Sequence, residues 1–124
     1  MGVQVRRGMV LRPRAVGAHV HMVVSEPFGP TEQVVIVNWT TLDEQCVDDA
    51  CLLQPGDHPA LRHTSSVAYS MAQLWRIARI AFAIDNGLLV ELEPLSPSVL
   101  KRIITGASAS PEFPKHWTRL LPPV

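Results

Sequence analysis

Apolar residues fall in short, strand-length runs over the first half of the chain and at helical spacing over the second. Residues 20–24 (VHMVV) and 34–39 (VVIVNW) are β-branched runs separated by SEPFGPTEQ, whose Pro and Gly mark a turn, so they predict a hairpin. After the polar loop TLDEQCVDDA, the run CLLQ ends at Pro55-Gly56-Asp57, and a further strand is expected at about Ser66 to Tyr69. The turn should draw backbone freedom from Gly56 and a local hydrogen bond from Asp57, while Pro59 confines His58 to an extended conformation. Four short strands punctuated this way predict a small barrel or sandwich.

Past Ser70 the period changes. Met71, Leu74, Trp75, Ala78, Ala81 and Phe82 recur at steps of three and four before Asn86-Gly87, which predicts a helix over 72–86; LWRIARIAFAI also fits a strand. A second helix is clearer, at about 96–108. Ser96 is placed to cap it, Pro97 suits its first position, and Leu95, Val99, Ile103 and Ala107 make one face. The tail SPEFPKHWTRLLPPV has too many Pro for a long helix, but Phe113, Trp117 and Leu120 suit packing back onto the body.

The 124 residues match one domain, with a basic arm over 1–14, barrel strands over 15–70, a helical part over 71–110 and a Pro-rich tail over 111–124. At 47% apolar and 18% charged the composition is that of a globular protein, without repeats or low-complexity tracts. Arg76, Arg79 and Asp85 interrupt the longest apolar stretch, so no membrane segment is expected, and the N-terminus lacks the apolar core of a secretory signal. With Cys46 and Cys51 as its only cysteines, the chain reads as cytoplasmic. Zero net charge conceals an asymmetry. Arg6, Arg7, Arg12 and Arg14 precede a stretch, 15–61, that holds seven acids and no Lys or Arg. Arg12 and Arg14 are candidates to grip phosphate through the guanidinium fork, against the plainer alternative of a solvated terminus.

His19 and His21 alternate with Val20 and Met22, so on a strand both imidazoles share a face and can serve as acid and base near neutral pH; exposed His on a polar face would look the same. Asn38, Thr40 and Thr41 end the apolar strand, where hydroxyls form local turns or donate to a phosphate. His58, His63 and Ser65 can flank a groove shared with His19. Trp39, Trp75 and Trp117 suit base stacking, although core packing is the commoner use. Cys46, Cys51, His58 and His63 are all zinc-ligand types, but their spacing matches no standard site, and Cys51 reads better as a small core hydrophobe. Nucleotide-binding Gly motifs, a nucleophile elbow and an H-E-x-x-H helix are all missing, which leaves dehydrogenase, kinase, hydrolase and zincin readings unsupported.

The order of HVHMVVSEP at 19–27, VVIVNWTT at 34–41, SVAYSMAQL at 66–74 and LSPSVLKRI at 95–103 resembles the layout of the PemK/MazF toxins over about residues 15–105. That resemblance implies a mainly β, SH3-like barrel with one or two helices. It also implies a homodimer that acts on single-stranded RNA as a cofactor-independent, metal-independent endoribonuclease, with an antitoxin or other protein partner. The family's catalytic Thr matches Thr40, with Thr41 beside it, while its Arg falls at about His19. At that Arg the chain departs from the family pattern, so either the chemistry is rebuilt around His19, His21, Thr40 and Thr41, with Arg12, Arg14, His58 and His63 on the substrate, or the protein no longer cuts RNA. The stretch from 75 to 94 is an addition to the family layout. Two other classes remain: a non-catalytic SH3-like module that binds a protein, and a small metal-binding protein.

Overall fold

The run QVVIVNWTT becomes the strand that organises the molecule. In a computed structural model that describes residues 3–42 and 48–123, seven strands make one antiparallel sheet: β1 (Val10–Pro13), β2 (His21–Val23), β3 (Gln33–Thr41), β4 (Leu52–Leu53), β5 (Ser65–Val67), β6 (Gln73–Arg76) and β7 (Leu89–Leu92). Their order is β4-β5-β3-β2-β1-β7, with β6 also on β3. The protein is mainly β. Residues 34–39 of β3 are all buried because both faces of the strand are covered, which explains an apolar run without alternation. Val35, Val37 and Trp39 enter one core with Val10, Met22, Leu53 and Val67. Val34 and Ile36 enter a second with Leu11, Val23 and Ile80.

Two helices cover these cores. In α1 (Ile77–Asp85), Ile77, Ile80 and Ile84 pack on the second core, and the helix stops where Gly87 takes a left-handed φ of 73°. The longer α2 (Pro97–Ala109) begins as expected, with the Ser96 hydroxyl accepting from the Val99 N–H at 3.3 Å. Its buried face carries Val99, Ile103 and Ala107. Arg102 donates to the Leu52 carbonyl of β4 at 2.7 Å and pairs with Asp57 at 2.9 Å, so α2 ties the β7 end of the sheet to its β4 end. Phe113 is buried edge-on to Tyr69, and Trp117 packs edge-on to Phe113. The tail folds back as its apolar residues predict.

The structure departs from the sequence reading in several places. The hairpin and the strands after it are present, but β1, β6 and β7 bring the count to seven. The basic stretch is no free arm: Val5, Met9, Val10 and Leu11 are buried, β1 lies between β2 and β7, and Arg7 pairs with Glu26 at 3.4 Å. Residues 72–86 divide into β6 and then α1, because Gln33–Ile36 pairs with residues 73–76 before the helix begins. At 55–57 a single 3₁₀ turn forms, closed by the Gln54 N–H donating to Asp57 at 2.7 Å; Gly56 keeps a negative-φ backbone open to other residues. His58 is extended, with φ −162° and ψ 144°.

Candidate functional site

A cleft of about 380 Å³ opens between the segment before β2, the C-terminal end of β3 and the loop before β5. His19, Thr40, Thr41, Arg62, His63 and Ser65 line it. Each is delivered by a distinct local device. Gly17, at φ 78°, makes the tight turn that aims the chain into β2 and leaves His19 exposed just before the strand. Thr40 and Thr41 pair with Ser66 and Ser65 across β3 and β5, so the Thr41 and Ser65 hydroxyls share one face of the ladder. Arg62 and His63 point to solvent because both of their neighbours are fixed: Leu61 is buried, and the Thr64 carbonyl accepts from the Leu42 N–H at 3.0 Å.

That loop is anchored by His58. Its Nδ1 accepts the Ala60 N–H at 3.0 Å, which places the proton on Nε2, and Nε2 donates to the Glu93 carbonyl at 2.5 Å. With both nitrogens engaged and 4% of its surface exposed, His58 binds the fold together and does not line the cleft. His21 is also elsewhere. Its ring lies 4.8 Å from that of Trp75, its Nδ1 is buried without a partner among the described residues, and burial together with the neighbouring His19 holds its pKa below the usual imidazole value. Arg12 and Arg14 lie along the seam with β7, where Arg12 pairs with Val90 and the Arg14 N–H donates to Leu88. Neither lines the cleft.

Of the residues singled out in the sequence, the structure therefore gathers His19, Thr40, Thr41, His63 and Ser65. It adds Arg62, which the sequence reading missed; the signal was its place as the first base after the acidic stretch, in a Leu-Arg-His triplet with Leu61 turned inward. Arg62 brings the permanent, planar cation that an imidazole lacks. Among the described residues lining the cleft no carboxylate opposes it. Trp39 also lines the cleft, but at 7% exposed most of its ring belongs to the core.

The zinc-ligand set does not assemble among the described residues: His58 is engaged by backbone groups, Cys51 is a buried free thiol whose pKa burial pushes up, and Cys46 lies outside the described residues. No described helix is long and apolar enough to cross a membrane.

Fold and site together define a mainly β domain with a cationic, hydroxyl-lined cleft. Comparison with family models, curated proteins and solved structures finds no match to this chain.

Proposed function

We propose that the protein is a PemK/MazF-like, RNA-binding, metal-independent endoribonuclease of the cytoplasm, with the cleft as its site. One observation carries the reading: two imidazoles, a guanidinium and three hydroxyls line a single cleft. Cleavage of RNA through its 2′-OH needs a base for that proton, an acid for the departing 5′ oxygen and positive charge for the phosphorane. His19 and His63 supply the acid–base pair, Arg62 supplies the charge, and Thr40 and Thr41 donate to phosphate oxygens, while the Ser65 hydroxyl, which donates to the His63 carbonyl at 3.1 Å, holds the loop that carries His63. Attack of the 2′ oxygen on phosphorus breaks the bond to the 5′ oxygen. The products are a 2′,3′-cyclic phosphate and a 5′-hydroxyl end.

The test is cleavage of a mixed-sequence single-stranded RNA in EDTA by the wild type and by His19→Ala, His63→Ala, Arg62→Ala and Thr40→Ala. Loss of one imidazole should reduce the rate by about 100-fold or more. Arg62→Ala should also weaken binding and flatten its salt dependence. Uncut RNA with wild-type protein, or equal rates in all five proteins, overturns the nuclease; salt-independent binding overturns the RNA site as well.

A further inference from the structure

The three tryptophans are not equally committed to the core. Trp39 is buried, and Trp117 packs edge-on to Phe113. Trp75 packs against the second core and against the His21 ring, 4.8 Å away between centroids, yet stays partly exposed. Its Nε1–H donates to the Gln73 side-chain oxygen at 2.7 Å, so the one polar atom of the indole is satisfied and the ring is held in orientation. What remains outward is an apolar π surface. It lines a groove of about 570 Å³ whose apolar lining includes Leu74, Ala83 and Leu89 and whose polar lining is Gln33, Arg76 and Arg79. Both guanidinium groups are exposed, and among the described residues neither has an ion-pair partner and no carboxylate lines the groove. The nearest acids along the chain, Glu32 and Asp85, pair with neither.

An indole surface beside two uncompensated guanidinium groups suits a flat ring that carries negative charge next to it. Every nucleobase has a π face that stacks on an aromatic side chain, and the Arg fork matches a phosphate. The register of the sheet connects this groove to the cleft. Val34, Asn38 and Thr40 fall on one face of β3 because side chains alternate along a strand. Trp75 is the cross-strand partner of Val34 and His21 that of Asn38, so both rings stand on that same face. His19 and Thr40 line the cleft at one end of it, and Trp75 lines the groove at the other, with His21 in contact with Trp75 between them. A strand gripped in the cleft therefore has an aromatic and cationic surface further along the same face.

We infer that the groove is a second nucleotide subsite, in which a base of the single-stranded RNA held by the cleft stacks on Trp75 while its phosphate meets Arg76 and Arg79. The inference rests on the RNA reading of the cleft, but its residues lie in the 75–94 stretch that the toxin layout lacks. The test uses single-stranded RNA of about eight nucleotides, within the usual range of single-strand sites and 2′-O-methylated so that it cannot be cut. It is titrated in EDTA against the wild type, Trp75→Leu and Arg79→Gln, reading anisotropy with a labelled strand and tryptophan fluorescence with an unlabelled one. Thermal melting shows that each variant is folded, and Arg79, being exposed, tests the subsite even where Trp75→Leu loosens the second core. RNA should quench the wild-type fluorescence, and Trp75→Leu should abolish that quenching and weaken binding by about 10-fold, the loss of one stacked base. Arg79→Gln should weaken binding and lower the slope of its salt dependence by about 0.7. RNA that binds the wild type without quenching, or binds both variants as tightly as the wild type, overturns the subsite and leaves the cleft standing. A wild type that binds no RNA overturns the subsite and the proposed function together.

Discussion

Gly106→Ala in α2 sets two effects of opposite sign against each other. Ala is the better helix former by about 1 kcal/mol, so propensity alone predicts a more stable protein. The surroundings predict the reverse. A Cβ at this position would stand 2.9 Å from Cys51 Cβ and 3.1 Å from the Ala50 carbonyl oxygen, and would collide with the Tyr69 hydroxyl. Tyr69 is fully buried and its hydroxyl donates to the Ile103 carbonyl at 2.6 Å, so it cannot swing into water. Overpacking of this kind costs about 1–3 kcal/mol, and displacing a buried hydroxyl from its acceptor adds about 1–2 kcal/mol. After the propensity gain, the net loss should be about 2 kcal/mol, or roughly 8 °C in Tm for a chain of this length. Urea unfolding followed by tryptophan fluorescence measures it. Tyr69→Phe alone should cost about 1 kcal/mol, and in the double variant the two losses should sum to less than their total, because one collision has been removed. A midpoint for Gly106→Ala at or above that of the wild type would refute the close packing of α2 on Tyr69 and Cys51.

His58→Ala should cost about 2–4 kcal/mol, since it opens a cavity and leaves the Ala60 N–H and Glu93 carbonyl without their partner; the urea midpoint reads it. Burial pushes Asp57 up, but the bond from Arg102 and the Gln54 N–H outweigh it and hold the carboxyl below its usual 3.8. A carboxyl depressed in the folded state stabilises above its unfolded pKa and loses that contribution as pH falls through the folded one, so Arg102→Ala should flatten the decline in midpoint below about pH 4. For so exposed a pair the effect should stay under about 1 kcal/mol. His21 is a base whose folded pKa lies below 6.5, so its penalty is absent above that value and grows as pH falls through it. His21→Phe should therefore bring the midpoint at about pH 5 closer to that at about pH 8, measured by the same unfolding series.

Where the sequence was legible, one local signal decided the structure. The β2–β3 hairpin followed from two β-branched runs around a Pro-Gly turn, and α2 from a Ser-Pro start with four apolar residues on one face. β1 was illegible because VLRP is four residues long and follows a run of Arg; it is a strand only because β2 and β7 pair with its two edges. The 72–86 stretch carried both patterns at once, and pairing of Gln33–Ile36 with 73–76 decided where extended chain gave way to helix. All of the proposed site but Arg62 could be read from residue type. The roles of His58 and Arg62 could not, since one depends on a carbonyl 35 residues away and the other on which side of a loop is pinned.

The cleft lies where β3 changes partners. Its first residues, Gln33–Ile36, pair with β6, and its last, Trp39–Thr41, with β5; on the other edge, β2 pairing ends at Asn38. Beyond Asn38 the Trp39 N–H still reaches the Val20 carbonyl at 3.2 Å, but among the described residues no strand continues along that edge beside Thr40 and Thr41. The sheet is thus open on that side just where β3 stops being apolar. Polar side chains at this point cost no core, and their backbone continues a strand buried over residues 34–39, the condition under which hydroxyls can be kept in fixed positions. The basic groups come instead from segments outside the sheet, His19 from the Gly17 turn and Arg62 and His63 from the loop that His58 anchors. A rigid wall of hydroxyls faced by loop-borne cations is the division of labour expected where a scaffold positions and loops recognise.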